Sequence, residues 1–289
     1  MGGRVCVGIP TFIENLKEYQ IDISSPEKEI DEKVLERIDD LWYCQEDFTD
    51  LVRVVLKYSR ENIILFHRFF ENLLQFVIEI EDPNATSETL GHMRNEHYHF
   101  LMYALFISIS GILLESEKYN ELSELLLNPY TVYNEHIRDY INLGFPNLNN
   151  GSTSLNKYRI QRLQKSNINE VSRVIRDRTQ GLFKEKDYIS EVDAILYYIS
   201  CFNSKDNNTR LWFPHTCDKS YIDIKVLKKI KSKTHFNRFK ILLGVNDIED
   251  LSSKIEFIVS NKIDRIQRFH YGIEHVGVAF KVDNIGSMP

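Results

Sequence analysis

Apolar residues recur along this chain mostly at the three-and-four spacing of helices. Ile30, Val34, Ile38 and Leu41 line one face of residues 27–45, which read as an acidic amphipathic helix. A broader stripe through Leu51, Val55, Tyr58, Phe66, Phe69, Leu73, Phe76 and Ile80 predicts one long helix over 48–80. Asp82–Pro83 stops it, because proline has no amide hydrogen and disfavours helix in the residue before it. After the polar stretch NATSE, a second long helix is expected from Thr89 to Leu114. Shorter ones follow over 119–127 and 131–142, separated by Pro129. Further on, the pattern predicts a basic helix or helix pair over 155–180 ended by Gly181, then an apolar helix over 188–202. Two more are expected near 221–243 and 247–270. Gly244 is suited to a left-handed termination of the first, and Asp247 with Asp250 to an N-terminal cap and first-turn acid of the second.

The two ends differ from this pattern. Arg4–Ile9 (RVCVGI) and His275–Val282 (HVGVAFKV) alternate small and β-branched residues and read as strands. Pairing them would make a small sheet and bring the termini together. Residues 144–155, GFPNLNNGSTSL, carry the Gly, Pro, Asn and Ser of a linker. The expected fold is therefore all-α, a helical bundle in two subdomains with a small terminal β-sheet. Residues 1–146 would form one helical domain and 155–289 a second, basic one.

Composition adds the class of protein. The chain is 43% hydrophobic and 27% charged, with 17 Phe and 15 Tyr, so a large aromatic core is expected. Cys6, Cys44, Cys201 and Cys217 form no CxxC or zinc-knuckle spacing and read as reduced thiols, mostly in the core. No basic segment followed by a cleavable apolar one opens the chain, so a cytoplasmic location is expected. The uncharged run 100–114 is shorter than the roughly 20 residues of a spanning helix, and 62–80 carries His67, Arg68, Glu71 and Glu79. Both read as core helices, and no membrane partner is expected. The richness in Lys, Asn and Ile suits an AT-rich coding genome and hence a bacterial source.

Net charge is −6 but unevenly spread. Residues 14–50 hold 13 Asp or Glu against 4 Lys or Arg, whereas 157–186 hold 9 basic against 3 acidic residues. The run from Lys225 to Lys240 is basic as well. These are solvated helix faces, or halves that touch each other, or a basic half that meets an anionic partner. For RNA, Lys157, Arg159 and Arg162 beside Tyr158 are candidate contacts, and so is Lys231–Lys240 with its interleaved Phe.

The densest polar cluster among apolar neighbours is His92-Met-Arg94-Asn95-Glu96-His97-Tyr98-His99, at the head of the second long helix. Glu96 and His99 have the E-x-x-H spacing of di-iron carboxylate bundles, although no second such pair occurs, and His92, His97 and His99 are an incomplete mononuclear alternative. Structurally, such a cluster can instead hydrogen-bond to loop backbone and fix the bundle. Third, Arg94-Asn95-x-x-x-His99 resembles the R-x4-6-H motif of the HEPN family. Arg60–His67, Arg265–His270 and Arg268–His275 share the spacing, but only Arg94 is followed by Asn. The resemblance spans at most residues 30–140 and implies a helical bundle that pairs as a homodimer. It also implies metal-independent ribonuclease activity in a toxin or antiphage-defence setting. His99 would then be the general acid or base at the RNA 2′-hydroxyl, Arg94 the stabiliser of phosphorane charge, and Asn95 an orienting group. Imidazole titrates near neutrality and guanidinium forks onto phosphate, so the residue types suit the task. Asn95 and His99 share a helical face, with Arg94 about 100° round.

Elsewhere, the loop Arg210-Leu-Trp-Phe-Pro-His-Thr-Cys217 sets a thiol beside an imidazole, while Trp212 suits an anchor in the core or in a binding loop. No Walker A, GxGxxG, GxSxG or HExxH occurs, so no cofactor is expected. The sequence thus leaves two functions open. One is a HEPN-like endoribonuclease acting through Arg94, Asn95 and His99. The other is a non-catalytic helical regulatory or adaptor module that binds a protein partner, with residues 14–50 and the Trp212 loop as contact surfaces.

Overall fold

The computed structural model describes residues 9–22, 28–58, 63–80, 88–135, 137–149, 152, 154–165, 169–179, 181–185, 187–217, 222–265 and 272–288. Its helices are α1 (Ile9–Leu16), α2 (Ile30–Tyr58), α3 (Ile63–Ile80), α4 (Glu88–Glu115), α5 (Tyr119–Leu127), α6 (Ile160–Arg162), α7 (Glu170–Arg178), α8 (Tyr188–Phe202), α9 (Lys225–Lys229), α10 (Lys233–Leu243), α11 (Ile248–Ser260) and α12 (Val276–Ala279). A two-stranded antiparallel sheet, β1 (Tyr130–Asn134) and β2 (Asp139–Leu143), interrupts them. The fold is an all-α bundle with one small hairpin.

α4 is the axis. From Tyr98 to Leu114 nearly every side chain is buried, so the helix has no polar face to offer water and must be enclosed. α2, α3, α5 and α8 all pack against it. Met93–Glu115 is long and apolar enough to cross a membrane, but its apolar window is entirely buried inside the protein. Phe106 gathers rings from three other segments: Phe70 of α3 at 5.1 Å, Trp212 at 5.5 Å and Phe145 at 6.2 Å. Gly111 admits a fourth segment. A Cβ there would lie 2.5 Å from the ring of Phe183.

Several boundaries follow the sequence. α5 and α8 begin and end where the pattern puts them. Gly244 ends α10 in the left-handed region (φ 60°), and the Asp247 side chain accepts from the Asp250 amide at 2.9 Å to cap α11. Other expectations are corrected. Over 48–80 the helix expected to start at 48 is instead the end of α2, which runs unbroken through Gln45–Thr49 to Tyr58; α3 is described from Ile63, and 59–62 lie outside the described residues. Residues 131–142 form the hairpin, with Tyr130 opposite Leu143 and Val132 opposite Ile141. Their β-branched and aromatic residues alternate in and out against α3, and Glu71 and Gln75 accept from the outward amides of Thr131 and Tyr133 at 2.7 and 2.6 Å. Residues 155–180 begin as a π-helical turn, Ser154–Arg159, before α6 and α7. The region near 221–243 splits into α9 and α10, and α11 ends at Ser260.

The sheet lies mid-chain rather than at the termini. Residues 1–8 lie outside the described residues and Ile9 opens α1, while 276–279 are helical because Asp264 caps the Val276 amide at 2.7 Å. The C-terminal segment instead makes a single parallel bridge, Ser232 to Met288. One hydrophobic cluster runs from Leu16 to Ile285, so the two halves joined by 144–155 share a core. Phe145 and Leu148 of that linker are buried in it.

Replacing Gly111 by Leu should force Phe183 out of its seat. A loss of about 1–3 kcal/mol is expected from overpacking, read from the urea midpoint, and an unchanged midpoint would show that the seat can yield.

Candidate functional site

The polar cluster sits on the first turns of α4. Its position is set by the Tyr98 hydroxyl, which donates to the Leu16 carbonyl at 2.6 Å and ties α4 to α1. Asn95 is buried, and its amide donates to the carbonyl of Ile80, the last residue of α3, at 2.9 Å. Glu96 is buried and turned to the linker, where it accepts from the Ser152 hydroxyl at 2.6 Å and the Ser154 amide at 3.0 Å, with the Ser154 hydroxyl also on it. His97 is wholly buried against the ring of Tyr98. His99 is only 3% exposed. Arg94 alone is half-exposed, and its guanidinium meets the Gln20 side-chain oxygen at 3.3 Å. The side chain of His92 lies outside the described residues.

Arg94, Asn95 and His99 are therefore near in sequence but not gathered on one accessible surface. The buried groups do structural work: they join α4 to α1, to α3 and to the linker. Glu96 faces serine donors of the linker. Among the described residues no group of three or more His, Cys, Asp or Glu side chains is placed to hold a metal ion.

The expected RNA contacts are mostly occupied. Arg159 bonds Asp31 at 2.9 Å, and Arg162 reaches Asp31 at 2.7 Å and Glu32 at 2.9 Å. Arg178 pairs with Asp39. The acidic front half and the basic back half thus touch each other across α2 and α6–α7. Buried Glu170 accepts from Lys165 and Arg173, and their hydrogen bonds and charges outweigh its burial and hold its carboxyl below the usual range. Lys157 is exposed, beside the ring of Tyr158 at 5.7 Å.

Trp212 is fully buried and cannot contact a ligand. Its indole N–H donates to Asp193 at 2.6 Å. Asp193 also accepts from the Thr216 amide at 2.7 Å, the Thr216 hydroxyl at 2.9 Å and the Tyr103 hydroxyl at 3.0 Å. This carboxylate pins the 209–217 loop to α8 and α4. His215 engages Asn149 at 2.8 Å, while the Cys217 thiol donates to the Ser190 carbonyl at 3.3 Å. The two face different partners rather than each other. Asp193 was legible only as one of two carboxylates, with Glu191, in the apolar run of α8, a signal without a direction.

Sequence reasoning also misplaced an apolar surface. Leu51 and Tyr58 belong to the expected core stripe, yet they are 47% and 76% exposed. α2 turns Phe48, Val52 and Leu56 inward instead. Leu51, Val54 and Tyr58 form a second stripe facing out of α2, and Ile64 and Leu65 at the start of α3 are exposed as well. No family model matches the chain, and no curated protein or solved structure matches it significantly.

Two predictions follow from these bonds. Asp31→Ala leaves two guanidiniums without their buried acceptor, and a loss of about 1.5–3 kcal/mol is expected for charge-assisted hydrogen bonds, measured by urea unfolding. The second concerns pH. Burial pushes the imidazoles of His97 and His215 down from 6.5 to about 3. The stability they contribute is whole above pH 6.5 and is lost as pH falls toward 3, because the unfolded chain takes up the protons first. Asp193 acts in the opposite sense. Burial raises it from 3.8 to about 6, so its contribution is whole below pH 3.8 and lost as pH rises through 6. Two histidines outweigh one carboxyl, so the urea midpoint should drop from pH 7 to pH 4. The drop should be steeper in Asp193→Asn, and a parallel slope in the variant would contradict the assignment.

Proposed function

We propose that this chain is a non-catalytic helical module that binds a protein partner. The observation that carries this reading is the exposed apolar stripe of Leu51, Val54 and Tyr58 on α2, with Ile64 and Leu65 exposed at the start of α3 as well. Exposed apolar side chains repeated along one helix face mark protein–protein contact, and aromatic residues such as Tyr58 are favoured anchors in such contacts. The polar cluster at the head of α4 supports it from the other side. Asn95, Glu96 and His99 are buried, the first two in bonds that join α4 to α3 and the linker, and a general acid or base must reach the proton it moves.

The HEPN-like ribonuclease is the second reading, and Arg94 favours it. Its guanidinium is half-exposed and meets a neutral amide rather than a carboxylate, which leaves it competent for phosphate. That reading requires His99 to become accessible, with a second copy of the chain completing the cleft.

A photo-crosslinking residue at position 58, in the protein expressed in its own host, tests the first reading. A single crosslinked partner is expected, lost in Val54→Glu and absent when the crosslinker sits at exposed Glu46, about 100° round α2 from the stripe. Equal crosslinking from both positions would remove the stripe as a specific surface. RNA cleavage by the purified protein in EDTA, abolished by both His99→Ala and Arg94→Ala in folded variants, would replace the adaptor reading with the ribonuclease.

A further inference from the structure

The C-terminal segment folds back over the second half of the chain and leaves a cleft of about 210 Å³. Its walls are α9 on one side and residues 278–285 on the other, with Tyr198 of α8 between them. The walls are held from outside. The Val226 amide donates to Glu191 at 2.8 Å, which fixes α9 to α8. The Gly286 amide donates to the Ile230 carbonyl at 3.1 Å and the Met288 amide to the Lys231 carbonyl at 3.0 Å, which fix the returning segment. The Tyr198 hydroxyl donates to the Glu274 carbonyl at 2.8 Å. The cleft is thus bounded by backbone held in register.

The lining has a definite chemistry. Ile222, Ile224, Leu227 and Ile285 supply apolar surface, and three lysines, Lys228, Lys231 and Lys281, stand around it. In this acidic protein the neighbouring cations are paired: Lys225 with Glu185, Lys228 with Asp223 at 2.7 Å, and Lys229 with Glu117 at 2.8 Å. Among the described residues Lys231 and Lys281 make no ion pair, and Glu274 is the remaining carboxylate of the lining. Two ammonium groups against one carboxylate leave a net positive charge beside an apolar recess, which suits a ligand with one anionic end and an apolar body.

We propose that this cleft binds a small amphipathic carboxylate, its head between Lys231 and Lys281 and its body against Leu227 and Ile285. Neither proposed function depends on this site, and it depends on neither of them.

The test is calorimetric titration of the whole chain with hexanoate, hexanol and acetate, alongside Lys231→Met and Lys281→Met, which keep the apolar stems. Hexanoate is expected to bind. Hexanol and acetate should each bind at least about tenfold more weakly, and each lysine change should weaken hexanoate by about tenfold, the value of one charge-assisted contact. Thermal melts matching the wild type would establish that both variants fold, and Lys281 is exposed enough for its variant to serve alone if the other does not. Absence of hexanoate binding would overturn the proposal. So would binding unchanged by the lysine substitutions, or acetate binding as well as hexanoate, which would mark a surface charge effect without a recess.

Discussion

A helix with no polar face cannot meet water anywhere along its length, and α4 is such a helix from Tyr98 to Leu114. Burying a large apolar side chain is worth about 1.5–3 kcal/mol, so enclosing this run dominates the folding of the chain. The architecture is the set of covers this demands: α2 and α8 along its flanks, α3 and α5 beside them, and the 145–148 turn and Trp212 loop against Phe106. The same enclosure decides the fate of the polar residues at the head of α4. Once the covers close, Asn95 and Glu96 lie inside and must find donors or acceptors there, which they do on Ile80 and on Ser152 and Ser154.

Charge completes the enclosure. The acidic segment of α2 and the basic segment after the linker are complementary, and α2 brings buried Asp31 to Arg159 and Arg162. A buried carboxylate is tolerated only with such partners. The consequence for function is subtraction: Arg159 and Arg162, which could have met RNA, are committed to the fold, while the outer face of α2 keeps apolar groups that no part of the described chain covers. Two surfaces stay outside this pairing: the exposed apolar stripe of α2 and the lysine-rimmed cleft under the C-terminal segment.

The hydrophobic period by itself determined that the protein is helical. It also gave the extents of α5 and α8 and the core face of α2 through Val34, Ile38 and Leu41, because an amphipathic stripe is a local property. Gly244 and Asp247 were legible for the same reason: a left-handed turn and a side-chain cap involve only neighbouring residues. The tertiary structure alone decided whether Leu51 and Tyr58 face in or out, since α2 carries two apolar stripes and only the position of α4 selects one. It alone turned 130–143 into a hairpin, because α3 supplies Glu71 and Gln75 to one strand edge and a seat for Tyr130 against His67, rings 4.4 Å apart. The motif Arg94-Asn95-x-x-x-His99 was equally visible as a pattern, yet a pattern fixes only spacing. Whether those side chains meet solvent depends on what packs over them, and that depends on residues far away in the chain.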